Sequence, residues 1–411
     1  MTQPDTERRL GRVEFTALLA MSMALAALGT DIVLPAFGEM RADMGLPSDS
    51  TAVTGVISAY FFGLAVSQVF YGPLADRFGR KPILYVGYAI YLIGAVASAL
   101  APTLELVVAA RFVWGLGAAG PRVVTLTVVR DRYGGEEMSR AMSFIMAVFV
   151  LVPIVSPSLG AAVAVALSWR WVFGVCAVLV TVMAVWATRL EESLATENRR
   201  ELSLVRIRES GRMVFTNRLT MGYTVALTFL FGAFLSYLAS SELIFAQVFG
   251  AGESFPLYFG GLAAVMGAAM LVNAALVRRL GIRRLVQSVM LVYVFGSLAF
   301  LTVAFLTGGR PPLWVFLLGM MVLLSSHALL IPNFNSIAME PMRRVAGTAS
   351  AVIGTVSTAG GALLGALLDR TFDGTVLPFF GGYLVFGVLA LGTTVWAENG
   401  RLRRPATGVP D

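Results

Sequence analysis

Four ionisable side chains stand inside long apolar stretches of this sequence. Asp31 and Glu242 are acids, and Arg111 and Arg122 are bases. If these stretches cross a bilayer, a charge near its centre costs at least about 2.5 kcal/mol, so residues of this kind are candidates for function. Burial favours the protonated form of an acid and a neighbouring base opposes this, so such a pair can bind and release a proton. We therefore predict proton coupling at Asp31 and Glu242.

The spacing of these residues indicates a shared cavity. Pro35 follows Asp31 by four residues, so in a helix the carbonyl of Asp31 would lack its usual N–H partner. Arg122 follows Arg111 by eleven residues, which is nearly three whole turns, so both side chains lie on one helix face about 16 Å apart. That face must point at a cavity rather than at lipid. Alternatively, Arg122 lies near the end of its helix and extends its charge to the membrane surface.

Three further polar residues are candidates for the same cavity. Tyr60 belongs to a stripe of aromatic and small residues, although such stripes usually pack against neighbouring helices. His327 is the only histidine, and a single histidine in an apolar segment is more often a hydrogen-bonded structural residue. Asn333 stands beside Pro332. The predicted substrate and cavity residues are Asp31, Arg111, Arg122, Tyr60, His327 and Asn333.

The stretches around these residues are long enough to cross a membrane as helices. Hydrophobic residues make up 57% of the 411 and charged residues 13%, and the mean hydropathy is +0.79, which leaves too little charged surface for a soluble chain. Eleven intervals lack Asp, Glu, Lys and Arg: 15–30, 50–75, 82–104, 141–169, 171–188, 219–241, 254–277, 285–309, 311–339, 345–368 and 374–397. With 106–129 they predict twelve transmembrane helices, since about 20 helical residues span the hydrocarbon. Their continuously apolar character excludes barrel strands.

The basic residues indicate the orientation of these helices. An even number of spans puts both termini on one side, and the loops of that side hold 25 of the 31 Lys and Arg residues, against 4 in the other loops. Both termini are therefore predicted to be cytoplasmic. The net charge of +7 is then a topology signal rather than a sign of a nucleic-acid partner. The first apolar segment lacks a small-residue cleavage site, so we expect it to remain as a helix.

A charged segment divides the chain into two halves. Residues 191–218 hold 11 charged side chains in 28. We predict an N-terminal six-helix bundle over 1–190, a cytoplasmic linker over 191–218, a C-terminal six-helix bundle over 219–398 and a cytoplasmic tail over 399–411. The sequence around Glu242 weakly echoes that around Asp31. The predicted fold is thus an all-α membrane protein with twelve transmembrane helices in two pseudo-symmetric bundles, and a substrate site near the midplane.

A motif of glycines and charges follows the second predicted span. It runs from Gly72 through Asp76 and Gly79 to Lys81. The glycines allow a close approach and a tight turn, and Asp76 places a carboxylate where a helix N-terminus can receive it. The motif resembles the G-x-x-x-D-R-x-G-R-K signature of the major facilitator superfamily. The resemblance implies a gate that contacts the start of the eleventh span, formed by Gly72, Asp76, Arg77, Gly79, Arg80 and Lys81. Alternatively, the basic residues of the motif only set the topology.

Three other segments resemble one group within this superfamily. Residues 29–36 are similar to the Bcr/CflA group of drug:proton antiporters. Residues 111–119 are similar to the R-x-x-Q-G-x-G-A-A motif of the fourth helix, with Trp114 in place of Gln. Residues 153–160 resemble the antiporter motif of exporters through Pro153, Pro157 and Gly160, although Ser156 replaces the first glycine of its usual form.

These observations together favour a transporter. The resemblance implies proton-coupled efflux of small, largely apolar drugs or antibiotics across the bacterial inner membrane. The proton gradient would be the energy source, and we expect no cofactor and no metal. We expect the partners to be a small-molecule substrate, protons and the lipid bilayer, with the protein a monomer.

Other classes of function are less well supported. One histidine and one cysteine exclude a Cys/His zinc cluster and a disulfide framework. The sequence also lacks H-E-x-x-H and G-x-S-x-G motifs, so we do not expect an enzyme. A membrane sensor would need a soluble signalling domain. The alternative that stays open is a uniporter or symporter of a small metabolite, such as a sugar or an organic anion, because Arg111, Arg122 and His327 could hold an anion.

Overall fold

The computed structural model describes residues 10–195, 197, 199 and 204–400, without the side chains of 204–207, 210, 343 and 344. Within these residues the chain is helical and contains no strand. In this described part of the chain, twelve helical segments are long and apolar enough to cross a membrane. The chain divides into two compact units, Met1–Ser203 and Leu204–Asp411, called here the N-terminal and C-terminal units. Each unit holds six of the twelve spans, which confirms the predicted fold class.

The N-terminal unit is built around its fourth span. Its helices are α1 Arg12–Asp31, α2 Phe37–Asp43, α3 Gly55–Phe78, α4 Arg80–Leu100, α5 Leu104–Arg132, α6 Gly135–Ala166 and α7 Trp169–Trp186. Helix α5 packs closely against both α3 and α4. Glycines make this contact possible, because a Cβ at Gly115 would lie 2.0 Å from the carbonyl oxygen of Tyr60 and one at Gly117 would lie 2.2 Å from the backbone nitrogen of Tyr91.

The C-terminal unit is arranged around its first and fifth spans. Its helices are α8 Leu204–Thr216, α9 Arg218–Leu243, α10 Phe255–Leu280, α11 Ile282–Leu306, α12 Leu313–Met339, α13 Ala346–Asp369 and α14 Leu377–Ala397. Helix α9 packs against α12, α13 and α14. Gly361 and Gly365 of α13 bring that helix against α9, where their Cβ atoms would lie 2.6 Å from the side chain of Phe231 and 3.1 Å from the carbonyl of Gly232. This close packing is the role that small residues at this spacing predict.

The first span is broken at the acid that the sequence singled out. Helix α1 ends at Asp31, a short 3-10 turn runs over Leu34–Ala36, and α2 continues the segment to Asp43. Pro35 lies within this turn and, as its spacing from Asp31 indicates, has no N–H to donate to the carbonyl of Asp31, which accounts for the break. It places backbone carbonyls of the last turn of α1 where side chains of other helices can reach them.

The predicted boundaries of the linker and the tail lie partly beyond these helices. Helix α8 occupies the second part of the charged segment 191–218. Residues 196, 198 and 200–203 of that segment, and residues 401–411 of the predicted tail, lie outside the described residues.

Candidate functional site

Arg111 is the centre of a buried cluster in the N-terminal unit. Its side chain is fully buried, and its guanidinium carbon lies 4.5 Å from the ring centroid of Tyr60, 4.6 Å from that of Trp114 and 6.0 Å from that of Phe173. Aromatic faces attract a cation, by about 2 kcal/mol or more where water is excluded. Helices α3, α5 and α7 therefore each supply one aromatic ring around the guanidinium, and these rings lower the free-energy cost of burying its charge.

The guanidinium of Arg111 also bonds to the break in the first span. Its Nη1 donates to the carbonyl of Gly29 at 2.6 Å, and its Nε donates to the carbonyl of Val56 at 3.2 Å. The carbonyl of Gly29 is available because α1 ends two residues later, and in the described chain the N–H of Val33 does not bond to it. Arg111 thus takes the place of a helical N–H at the break.

The last turn of α1 is held by two further hydroxyls. Tyr60 donates to the carbonyl of Ala26 at 2.7 Å, and Tyr91 donates to that of Leu25 at 2.9 Å. A Cβ at Gly29 would lie 3.1 Å from each of these hydroxyl oxygens. Tyr60, predicted to line the cavity, is therefore fully buried beneath Arg111 and binds the backbone of α1.

Asp31 lies beside this cluster without joining it directly. Its side chain is buried, with 4% of the residue exposed, and Arg111 is within electrostatic range. Among the described residues, however, Asp31 forms no ion pair within 4.0 Å and no side-chain hydrogen bond. The Nη2 of Arg111 likewise has no acceptor in this part of the chain. The acid and the base that the sequence predicted to interact are close but not paired.

Gly160 of the antiporter-like motif packs directly against the break. A Cβ at this position would lie 1.9 Å from the carbonyl oxygen of Ile32, the residue after Asp31. Pro157 is buried in the same helix and Pro153 is half-buried. This part of the motif therefore lets α6 approach the backbone next to the acid more closely than any side chain would allow.

We expect Gly160→Ala to destabilise the N-terminal unit and to reduce transport. The added methyl cannot occupy its position, so α6 must move away from Ile32, at a cost of about 1–3 kcal/mol. Thermal unfolding of the purified protein in detergent measures this cost. Gly72→Ala is the matched control for stability, because a Cβ there would meet no other atom within 4 Å. Equal melting temperatures for the two variants would contradict the prediction.

The other predicted residues lie apart from this cluster. Arg122 is half-buried and lies nearer the C-terminal end of α5 than Arg111 does. In the C-terminal unit, Glu242 is 7% exposed near the end of α9, and Asn333 donates to Asn273 at 2.8 Å and to the carbonyl of Leu329 at 2.6 Å. His327 is fully buried with both ring nitrogens close to backbone carbonyls. The structure thus brings together Asp31, Arg111 and Tyr60 only.

The charged motif between α3 and α4 forms a compact ionic cluster. Arg80 donates to Asp76 at 2.5 Å and to Asp131, at the end of α5, at 2.9 Å. Glu192 follows α7 and accepts the backbone N–H groups of Arg80 and Lys81 at 2.8 and 3.1 Å, so it caps the start of α4. The cluster ties together the ends of α3, α4, α5 and α7.

The two glycines of the motif have different roles. Gly79 has a φ of +106°, and a Cβ there would lie 2.5 Å from a carboxylate oxygen of Glu192, so both the tight turn and the close approach require glycine. At Gly72 a Cβ would meet nothing within 4 Å. The close approach and the tight turn that the sequence predicts for the two glycines are therefore both found at Gly79 and not at Gly72.

The C-terminal unit repeats this arrangement with different residues. Gly281, with a φ of +76°, precedes α11. Arg283 pairs with Glu340 at 2.8 Å and with Glu398 at 3.1 Å. These acids follow α12 and α14, as Asp131 and Glu192 stand at or after the ends of α5 and α7. The equivalent loop has no acid of its own, yet its arginine is paired.

Sequence reasoning missed several residues of these clusters. The rings of Trp114 and Phe173 pack around the guanidinium of Arg111. The only feature of the sequence that pointed to either ring was that Trp114 replaces the glutamine usual in this motif. Glu192 was one of many charges in the linker. Asp369, at the end of α13, accepts from the hydroxyls of Ser236 and Ser240. It was overlooked because it ends an apolar interval next to Arg370, as a loop residue would.

Comparison with known proteins identifies the family. Residues 19–365 match the model of the Major Facilitator Superfamily. The chain belongs to the Major Facilitator Superfamily. This result confirms the resemblance drawn from the motif at Gly72, and it indicates a multi-pass membrane transporter.

Similar members of the superfamily include named resistance proteins. The chain is 26% identical over 381 residues to a bicyclomycin resistance protein homolog of Haemophilus influenzae, covering 92% of this chain and 94% of that protein. It is 26% identical over 382 residues to multidrug resistance protein D of Escherichia coli, covering 90% and 92%. These names agree with the resemblance to the Bcr/CflA group.

Solved structures of other transporters share the fold. A peptide transporter in complex with sulfate superposes with a TM-score of 0.75 at 15% identity, covering 95% of each chain. The xylose transporter of E. coli superposes with a TM-score of 0.71 at 14% identity, covering 94% of this chain and 99% of that one. At these identities the likeness concerns the fold alone.

Proposed function

We propose that this chain exports small, largely apolar drugs or antibiotics in exchange for protons. The observation that carries the proposal is the break in the first span. There Asp31 is buried without an ion pair, while Arg111 donates two hydrogen bonds to backbone carbonyls. The names of the relatives, a bicyclomycin resistance protein homolog and a multidrug resistance protein, support export of drugs. The proton gradient supplies the energy, and no cofactor takes part.

Asp31 and Arg111 supply the two states that proton coupling needs. An acid held away from an ion pair in apolar surroundings is more stable with its proton, because the neutral form costs less to bury. The Nη2 of Arg111 has no acceptor among the described residues, so it can accommodate a carboxylate. If the guanidinium turns toward Asp31, the ion pair stabilises the carboxylate and the proton leaves. A backbone change around Gly29 that frees the guanidinium would therefore release the proton from Asp31. The reverse change would let Asp31 bind a proton again.

We also propose where the protein acts and how it is oriented. It is a transporter rather than an enzyme and acts as a monomer in the bacterial cytoplasmic membrane. Both termini are cytoplasmic, and the ionic cluster around Arg80 belongs to the cytoplasmic gate. The uneven distribution of basic residues between the loops supports this orientation. Glu242 remains a second candidate for proton coupling.

A susceptibility panel and a vesicle assay test the function. The protein is expressed in an efflux-deficient bacterial host exposed to bicyclomycin, chloramphenicol and ethidium, and we expect protection against at least one. Inside-out vesicles with an acidic lumen are then given that compound. We expect faster uptake into the lumen than without the gradient, together with alkalinisation of the lumen.

Two results would refute the proposal. Flux that does not respond to the gradient in either direction would remove proton antiport. Gradient-driven movement of a sugar or an organic anion, with no protection against any drug of the panel, would favour the metabolite transporter instead.

Vesicles that contain the Asp76→Asn variant measure separately how far the gate limits turnover.

A further inference from the structure

His327 occupies an unusual position in the centre of the C-terminal unit. The ring is fully buried. Its Nδ1 lies 2.9 Å from the carbonyl oxygen of Leu323, one turn earlier on α12, and its Nε2 lies 3.0 Å from the carbonyl oxygen of Leu230 on α9. Both nitrogens therefore face groups that can only accept a hydrogen bond.

This geometry favours a second proton on the ring. A neutral imidazole carries one N–H, so it can donate to only one of the two carbonyls and turns a lone pair toward the other. A doubly protonated imidazole donates to both. Buried polar groups are hydrogen-bonded in the great majority of cases. The two carbonyls around His327 thus form a site that is fully satisfied only when a proton has been added.

Burial opposes a positive charge on His327, and the aromatic rings around it offset part of this cost. The ring centroid of Tyr293, on α11, lies 5.1 Å from that of His327, the ring of Tyr383, on α14, lies at 5.7 Å, and the ring of Phe234, on α9, lies at 6.0 Å. Aromatic faces attract cations within about 6 Å. The hydroxyls of Tyr293 and Tyr383 are buried and have no hydrogen-bond partner in the described part of the chain.

A buried acid lies near one of these tyrosines. Asp369, 2% exposed at the end of α13, accepts from the hydroxyls of Ser236 at 2.6 Å and Ser240 at 2.7 Å. It is within electrostatic range of Tyr383, as Tyr293 also is. Asp369 and His327 therefore both lie near Tyr383 in the interior of one unit, although the hydroxyl of Tyr383 bonds to neither of them.

The titratable groups of this region come from each helix packed around His327. Helix α9 contributes Tyr237, whose ring stacks on Phe259 of α10 at 5.5 Å, and Glu242 lies further along the same helix. The remaining members are Tyr293 on α11, His327 on α12, Asp369 on α13 and Tyr383 on α14. One acid and one histidine thus lie around the same group of buried tyrosines.

We infer that His327 and Asp369 together form a proton-binding site of the C-terminal unit. The site holds one proton more than a carboxylate and a neutral imidazole would hold, either on the ring or on the acid. The inference deepens the proposed function by giving the second half of the transporter its own protonation site. Its role in transport rests on that proposal, whereas its existence can be tested without any substrate.

Nitrogen NMR tests the site directly because the chain has a single histidine. The full-length protein, labelled with nitrogen-15 histidine and carrying an affinity tag without histidine, is placed in lipid nanodiscs at neutral pH. Signals of two protonated ring nitrogens identify the proton on His327. Signals of one protonated nitrogen, together with an infrared carboxylic-acid band that disappears in Asp369→Asn, identify it on the acid. Either result supports the inference.

The opposite result is equally clear. A neutral His327 together with no carboxylic-acid band sensitive to Asp369→Asn would overturn the inference. If Asp369→Asn does not fold, the double variant Ser236→Ala, Ser240→Ala removes both hydroxyls from the acid, and an acid band and histidine signals identical to those of the wild type would count against the site.

Two control variants separate this test from the test of drug export. Asp373→Asn alters an exposed acid of the loop that follows α13, and it should leave the spectra unchanged. Asp31→Asn should also leave them unchanged, even if it abolishes efflux. Loss of drug efflux with an intact spectroscopic signature would count against the proposed function alone, whereas a missing signature in a protein that exports drugs would count against this site alone.

Discussion

Vesicles that contain the Asp31→Asn variant are expected to take up the panel compound no faster with an acidic lumen than without one. Asparagine fills the volume of the acid but cannot bind or release a proton, so the coupling is lost. A proton that moves down about 100 mV supplies about 2.3 kcal/mol, or roughly a fifty-fold accumulation. That accumulation should disappear, while equilibrium binding of the compound to the purified variant stays close to the wild-type value.

Two control variants sharpen this prediction. Asp31→Glu keeps an ionisable group at the break and should retain part of the gradient-driven uptake. Asp43→Asn alters the acid that ends the same span, which pairs with Arg170 at 2.5 Å, and should leave coupling intact. Normal coupling in Asp31→Asn would show that the proton is carried elsewhere, and the first residue to examine would then be Glu242.

Arg111→Lys is expected to have the second large effect, although it keeps the charge. The guanidinium donates in two directions, to Gly29 and Val56, while its flat face rests on aromatic rings. An ammonium is a compact point charge that does not reproduce this geometry. A hydrogen bond from a charged group contributes about 1.5–3 kcal/mol. We expect a loss of stability of at least that size and a fall in gradient-driven uptake of at least about tenfold.

Thermal unfolding and vesicle uptake measure the two parts of this prediction. Arg122→Lys is the matched control, because Arg122 lies on the same helix but is only half-buried, so its charge should matter more than its shape. If Arg111→Lys melted and transported as the wild type does, the two-directional donation of the guanidinium to Gly29 and Val56 could not be what Arg111 contributes.

The number of helices followed from the sequence because hydrocarbon excludes charge. Each interval without Asp, Glu, Lys or Arg corresponds to one span, and the exceptions at Asp31 and Arg111 pointed to the cluster in the N-terminal unit. The break at Asp31 was also predictable, since Pro35 lacks the N–H that the helix needs there. In these cases one residue acts through a local rule.

The partners of these residues could not be predicted in the same way. Trp114 stands three residues from Arg111 on the same helix, but Phe173 comes from another span that only the packing of the unit brings to it. Asp369 lies at the boundary of an apolar interval, where an acid inside a helix and an acid in a loop have the same sequence signature. Glu192 was indistinguishable from the other charges of the linker until the fold placed it at the start of α4.

The motif between α3 and α4 gives the protein an intrinsic chemical reporter. Lys81 is the only lysine among 411 residues, and its Nζ donates to the carbonyl of Thr188 at 2.9 Å. An amine-reactive reagent therefore meets a single lysine side chain in the entire sequence, and that side chain belongs to the motif itself. The rate at which the Lys81 peptide becomes acylated, followed by mass spectrometry, would follow the opening of this contact during transport, in the wild-type protein and without an engineered label.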